Sequence, residues 1–169
     1  MPVQRLNHAV LYVRDVERSV AFYREALGFE VVMGMRGAAF LQASGSSNDH
    51  DLGLFEIGSG AGPTTAGRTS VGLYHLAWEV DTLDELERIA VKLSEMGALV
   101  GASDHSSTKA LYARDPDGLE FEVSWLVPAS LLTDEILAGR SAVRPLDLAA
   151  DKERFGAHTR GGVGVSIPA

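Results

Sequence analysis

The chain contains no cysteine in its 169 residues. That excludes disulfides and thiolate metal sites, so any metal must rest on imidazole and carboxylate. Nor is there an apolar run near the roughly 20 residues that a membrane-spanning helix needs. The opening Met-Pro-Val-Gln-Arg lacks the apolar stretch of a secretory signal, and a cytoplasmic protein is expected. Positive charge is scarce: 15 Lys and Arg stand against 23 Asp and Glu, a net charge of −8. A nucleic-acid partner needs a basic face, so none is expected, and no membrane surface is expected either. With 46% hydrophobic residues the chain suits one globular domain with a real core, and it is short for two ordinary ones.

What is present is an internal repeat. Leu6-Asn7-His8 leads to Val13 and an acidic helix start; Leu73-Tyr74-His75 leads to Val80 and another. His75 follows His8 by 67 positions, and glutamates stand at His + 48 (Glu56) and His + 47 (Glu122). In the first copy residues 5–13 alternate, with His8, Val10 and Tyr12 on one face. Asp15 opens a helix carrying Phe22, Tyr23, Ala26 and Leu27 and ending at Gly28. Strands are expected over 29–35, 38–43 and 51–57, and the Gly-, Ser- and Thr-rich stretch 58–70 reads as a linker.

The second copy repeats the order. A strand over 73–80 precedes a capping box, Thr82 with Glu85, and a stripe of Leu86, Ile89, Ala90, Leu93 and Met96 before Gly97. Residues 98–101 extend and a loop follows. The segment 109–114 then pairs with 119–125 through the turn Asp115-Pro116-Asp117-Gly118. In the last strand Leu119, Phe121, Val123 and Trp125 share one face, and Glu120, Glu122 and Ser124 the other. Each module is therefore β-α-β-β-β, an α+β class. The expected divisions are a domain over 1–127, with modules at about 4–58 and 71–127 and a linker at 59–70, then a C-terminal extension over 128–169. Within it 131–137 and 146–155 read as short helices that pack on the domain or on a second subunit, and 161–169 as a loose end.

One histidine on a strand is ordinarily a hydrogen-bonded core or edge residue. Two at matched positions of a duplication, with a carboxylate on the polar face of a terminal strand, point to His8, His75 and Glu122 as metal ligands. Two imidazoles and one carboxylate leave about three open positions on an octahedral ion, the facial triad of non-haem Fe(II) oxygen chemistry. Mn(II), Ni(II) and Zn(II) accept the same donors.

The duplication, with Asn7-His8-Ala9-Val10, Tyr74-His75-Leu76-Ala77 and Asp115-Pro116-Asp117-Gly118 followed by Glu122, resembles the vicinal oxygen chelate superfamily over residues 4–127. That superfamily includes glyoxalases, extradiol dioxygenases, and bleomycin and fosfomycin resistance proteins. The resemblance implies tandem modules forming a cupped mixed β-sheet, with His8, His75 and Glu122 as ligands. His50-Asp51-Leu52-Gly53-Leu54 and the tail segment Arg144-Pro145-Leu146-Asp147-Leu148 are similar to small catechol 2,3-dioxygenase-like enzymes. This implies His50 as acid–base catalyst, with His105 and Tyr112 beside it. The expected activity is Fe(II)-dependent extradiol cleavage of a catechol-type ortho-diphenol with O₂, in a homodimer. His158, in the tail, is expected to be inert.

Two other readings stay open. By the repeat Glu56 mirrors Glu122, and with His8 and His75 the two glutamates would make the four-ligand set of a glyoxalase-type lyase or isomerase. His50, Leu52, Leu54 and Glu56 share one strand face, so either His50 or Glu56 can reach the cavity. A drug-binding resistance protein on the same fold is the third reading. Phe40, Phe55, Tyr74 and Trp78 are candidate pocket aromatics, at least half of them expected in the core.

Overall fold

The computed structural model describes residues 2–3 and 5–162. The expected ending over 161–169 falls mostly beyond them, residues 163–169 lying outside the described part. The tandem βαβββ order is present: β1 (Ala9–Val13), α1 (Val16–Leu27), β2 (Glu30–Met35), β3 (Ala38–Gln42) and β4 (Leu52–Glu56), then β5 (Leu76–Glu79), α2 (Leu83–Glu95), β6 (Leu99–Asp104), β7 (Thr108–Arg114) and β8 (Glu120–Leu126). The strands form two four-stranded mixed sheets, ordered β1-β4-β3-β2 and β5-β8-β7-β6. Two compact units result. One is built on the first module together with the turn Asp115–Gly118; the other holds the second module and the C-terminal extension.

In the first unit β1 runs parallel to β4, and β3 lies antiparallel to both β4 and β2. The alternation of each strand sends Leu11, Val13, Leu41, Leu52 and Leu54 under α1, which buries Val16, Phe22, Tyr23 and Ala26. Leu52 and Leu54 are wholly buried, each worth roughly 1.5–3 kcal/mol relative to exposure. Asp15 caps α1 by accepting the Arg18 N–H at 2.9 Å, and Gly28 closes it in the left-handed region at φ 71°. The sheet face opposite α1 carries Val10, Tyr12, Phe40, Gly53 and Phe55. The turn Asp115–Gly118 belongs to this unit. Asp117 accepts from the Arg14 backbone N–H at 2.9 Å and from its guanidinium at 2.8 Å. The Tyr23 hydroxyl donates to Asp115, and burial followed by the Asp115 charge pushes that phenol well above its ordinary pKa.

The second unit repeats the scheme. Leu83, Leu86, Ile89 and Leu93 of α2 cover Leu111, Ala113, Phe121, Val123 and Trp125. Only half of the capping box forms: Thr82 accepts the Glu85 N–H at 3.2 Å, while the Glu85 side chain turns outward to Arg88 at 2.9 Å. The extension adds α3 (Asp134–Ala138) and α4 (Leu148–Phe155), which overlap the two stretches read as helical. Phe155 packs on Trp125 with ring centroids 5.6 Å apart, so α4 closes the helix-covered side of this unit.

Several strand boundaries differ from the sequence expectation, β5 among them, which begins at Leu76 rather than residue 73. β1 begins at Ala9 rather than residue 5, because pairing with β4 starts there. β4 begins at Leu52, which leaves His50 before the strand and outside its alternation. β6 continues to Asp104, because β7 pairs with it as far as Lys109, and the expected loop contracts to a tight turn at 105–107. None of the four candidate pocket aromatics is in the fully buried core, contrary to expectation. Phe40 and Phe55 stack edge-on at 5.7 Å on the face opposite α1, and Tyr74 is 69% exposed. Among the described residues no helix is long and apolar enough to cross a membrane.

The two faces of β1 and β4 should therefore respond unequally to truncation. Leu54→Ala should cost about 2–5 kcal/mol in urea unfolding. Tyr12→Ala, on the exposed face, should change stability by less than about 0.5 kcal/mol. Equal losses would mean that the faces are assigned wrongly.

Candidate functional site

Each repeat histidine stands one residue before its strand, His8 before β1 and His75 before β5. In the first unit Asn7 Oδ1 accepts from His8 Nδ1 at 2.7 Å. An amide oxygen only accepts, so His8 carries its proton on Nδ1 and keeps the Nε2 lone pair free, the form that ligates metals. The His50 ring lies 4.4 Å from the His8 ring and edge-on to Phe40 at 5.1 Å, on the face that α1 does not cover. Asp49 Oδ2 accepts from His50 Nδ1 at 3.0 Å, which leaves Nε2 of His50 able to take a proton. That hydrogen bond from His50 holds the Asp49 carboxyl below its usual range.

The second unit gathers four of the remaining expected residues and adds a fifth. His75 Nε2 is 3.3 Å from Glu122 Oε2, both side chains largely shielded. Glu122 is the register partner of Tyr112, and the Tyr112 ring lies edge-on to His75 with centroids 6.0 Å apart. The Tyr112 hydroxyl stands 3.0 Å from His105 Nε2. Ser103, buried on β6, closes a three-membered hydrogen-bonded ring, its Oγ 2.8 Å from His105 Nε2 and 3.3 Å from the Tyr112 hydroxyl, to which it donates. All of these side chains lie on the sheet face opposite α2, because Tyr112 and Glu122 alternate with the buried Leu111, Ala113, Phe121 and Val123. His158 stands apart from the cluster, 86% exposed and 3.1 Å from Asp84.

Strand register corrects the reading of Glu56. In the second unit the residue two places after the repeat histidine, Ala77, faces Glu122 across the parallel pair. In the first unit the same step leads from His8 to Val10, which faces Gly53. Gly53 is thus the counterpart of Glu122, and Glu56 lies three places further on, opposite Val13. An odd offset puts it on the other face. There its carboxylate accepts the Val16 N–H at the start of α1, 3.1 Å away. The near-equal spacings of 48 and 47 conceal this, because the equivalent positions Gly53 and Glu122 lie 45 and 47 residues after their histidines, α2 having 13 residues against 12 in α1. Nor does Glu56 share a face with His50, which precedes β4 and turns toward Phe40.

Sequence reasoning passed over Asn7, Asp49 and Ser103, the residues that orient the imidazoles. Asn7 and Asp49 carried a visible signal, each being a short acceptor immediately before a histidine. Ser103 carried none until β6 was known to reach it.

Among the described residues no group of three or more His, Asp or Glu side chains is gathered closely enough to hold a metal ion. Within the second unit, however, His75 and Glu122 fit part of a divalent ion's shell. Two ligands bound at right angles, each about 2.1 Å from one ion, stand about 3.0 Å apart. An imidazole nitrogen facing a carboxylate in a shielded place is compensated by a shared proton or a shared cation. His75 Nδ1 is buried with no hydrogen-bond partner, so Nε2 is the ring nitrogen offered to such an ion.

Comparison with known proteins agrees with this arrangement of modules. The sequence profile of the Glyoxalase/Bleomycin resistance protein/Dioxygenase superfamily matches residues 5–123. A catechol-2,3-dioxygenase of Bacillus subtilis is 34% identical over 118 residues, 70% of this chain but 40% of that protein's length. A metallothiol transferase, FosB, of Lysinibacillus sphaericus is 26% identical, covering 72% of this chain and 82% of the relative. The chain thus spans well under half of the first relative. Among solved structures, a glyoxylase/bleomycin resistance protein/dioxygenase domain from Frankia aligns with a TM-score of 0.59 at 23% identity, covering 73% of this chain and 92% of the other. With its paired βαβββ modules and this match over most of its length, the chain belongs to the glyoxalase/bleomycin resistance/dioxygenase superfamily.

Proposed function

We propose that the protein is an extradiol dioxygenase of a catechol-type ortho-diphenol, with His8, His75 and Glu122 as ligands of Fe(II). The observation that carries this reading is the asymmetry of the two registers. Glu122 stands opposite Ala77, and Gly53 stands opposite Val10, so the modules offer two imidazoles and one carboxylate rather than two of each. Three donors leave positions for both oxygens of a diol and for O₂, which a four-ligand set does not. The 34% identity to a catechol-2,3-dioxygenase supports the same class.

Bound Fe(II) would supply a Lewis acid that makes a coordinated phenol easier to ionise, and a position for O₂. The protein's own groups handle the protons. His50, its Nδ1–H held by Asp49, takes the second phenolic proton on Nε2. Tyr112 offers its hydroxyl to a substrate oxygen, and His105, 3.0 Å away, accepts or returns that proton. Phe40 and Phe55 give an aromatic ring an apolar surface beside His50. The product is a ring-opened semialdehyde acid.

One observation favours a second reading. The match takes in 82% of the metallothiol transferase and 40% of the dioxygenase, so it accounts for more of the group-transfer relative. A three-donor metal site serves that chemistry also.

Two predictions separate these readings. After anaerobic loading with Fe(II), addition of catechol or 4-methylcatechol in air should give the yellow absorbance of the semialdehyde. His75→Ala and Glu122→Ala should abolish both colour and bound iron, whereas His50→Phe should retain iron and lose turnover by about 10²–10⁴-fold. Iron binding with no turnover of any diol would transfer the assignment to the group-transfer reading. The second prediction concerns Glu56. Its replacement by Ala should lower stability by about 0.5–1.5 kcal/mol through the lost Val16 bond and leave metal content unchanged. Loss of metal from that variant, measured by elemental analysis, would restore Glu56 as a ligand.

A further inference from the structure

The turn that carries His105 is held from the side remote from the site. Ser106, which follows it, adopts φ +69°, a left-handed conformation that a residue with a side chain takes up only where its surroundings enforce it. The enforcement is visible. Asp104 Oδ1 accepts the Ser106 N–H at 2.6 Å and the Lys109 ammonium at 2.7 Å. Arg144 of the extension forms a two-way backbone bridge with Asp104, at 2.8 and 3.0 Å. Gly139, after α3, is packed so closely that a methyl group on it would lie 2.7 Å from Ser106 Oγ.

Lys109 is the centre of this arrangement. Its side chain is 3% exposed, and its ammonium reaches Asp151 of α4 at 2.9 Å as well as Asp104. The helix is itself anchored, since Lys152 pairs with Asp84 and Glu87 of α2, each at 2.6 Å, and Phe155 packs on Trp125. Asp104 is the last residue of β6, on the face of Lys109, and His105 is the first of the turn that follows, beside Ser103 of the opposite face. Asp104 therefore engages the extension through Lys109 while His105 reaches Ser103 and Tyr112. A displacement of the first moves the second.

We propose that Lys109 is a positioning residue for His105, and that the C-terminal extension, through Asp151, Arg144 and Gly139, sets the His105 imidazole against Tyr112. The catalytic consequence rests on the proton-transfer roles given to these two residues under the dioxygenase reading; the positioning itself does not. One lysine serves two carboxylates here, and they are unequal. Burial works against the Asp104 anion, but Lys109 and the Ser106 N–H outweigh it and hold that carboxyl low. Burial raises the Asp151 carboxyl despite Lys109. Asp151 is thus the partner whose charge can be removed with least damage to the fold.

The test uses the full chain carrying Asp151→Asn and, separately, Gly139→Ala, which presses on Ser106 without altering any charge. The first readout is the imidazole ¹⁵N spectrum, with the His105 signals assigned by their disappearance in His105→Ala. Both variants should shift or broaden the His105 Nε2 resonance and leave those of His8 and His50 in place. Unchanged His105 signals in folded Asp151→Asn and Gly139→Ala overturn the proposal. The second readout is diol cleavage, where Asp151→Asn should lower kcat about 10-fold with little change in KM. In a His105→Ala background the same substitution should add no further loss. Additive losses overturn positioning through His105. If the parent protein cleaves no diol, the dioxygenase reading fails alone, and the ¹⁵N spectra still decide the positioning.

Discussion

A β-sheet has two faces, and the one helix of each βαβββ module can cover only one of them. The rest of this structure follows from that constraint. α1 takes Leu11, Leu41, Leu52 and Leu54, and α2 takes Leu111, Phe121, Val123 and Trp125. The alternate residues are left on the other face, and there the chain sets the titratable side chains of the candidate site: His75, Glu122 and Tyr112 in one unit, His50 beside Phe40 in the other. A carboxylate on the helix-covered face would have to be desolvated; on the other face it meets an imidazole instead. Glu56 illustrates the alternative. It falls on the helix side at the end of its strand, where it is exposed and meets the α1 N-terminus, a place that favours negative charge.

Duplication supplies the two modules with the same strand order, and divergence then assigns them different work. At the position where the second module has Glu122 the first has Gly53, flanked by Val10 and Phe40; a Cβ there would be in ordinary contact with them, 3.4 Å from Val10 and 3.5 Å from Phe40. The first module thereby exchanges a carboxylate for an apolar aromatic floor beside His50. The second keeps the carboxylate beside His75, with Tyr112 next to it on the neighbouring strand.

Much of this was legible in the residues. The helices declared themselves through their stripes and through Asp15, Gly28 and Thr82, and period-two alternation put Glu122 on the face opposite Phe121 and Val123 before any coordinates. Counting residues failed where it stood in for register. The spacings of Glu56 and Glu122 from their histidines differ by a single residue, yet the pairing of Val10 with Gly53 and of Ala77 with Glu122 moves Glu56 three places out of equivalence. A residue count cannot see where two copies differ in length, whereas a hydrogen-bonded ladder can. The ion triad of Asp104, Lys109 and Asp151 was hidden for a related reason. A lysine on a strand reads as a solvated charge until a helix forty residues away is found to cover it.

The imidazoles show why these supporting residues matter. A histidine ring has two nitrogens, and its chemistry depends on which one carries the proton. His8 and His50 are each settled by the residue just before them, Asn7 and Asp49, so their Nε2 atoms are free for a metal or a proton. His75 has Tyr74 in that place, its ring tilted against the imidazole at 4.5 Å; among the described residues Nδ1 has no hydrogen-bond partner, and Nε2 faces Glu122. His105 receives its partners at Nε2 from Ser103 and Tyr112, two hydroxyls that can each donate or accept. An imidazole held by a carboxylate or an amide is committed to one tautomer. One held by two hydroxyls can exchange its proton without moving, provided that the backbone beneath it is fixed. The strained Ser106 and the buried Lys109 supply that fixity at the one histidine whose hydrogen bonds leave the direction of proton transfer open.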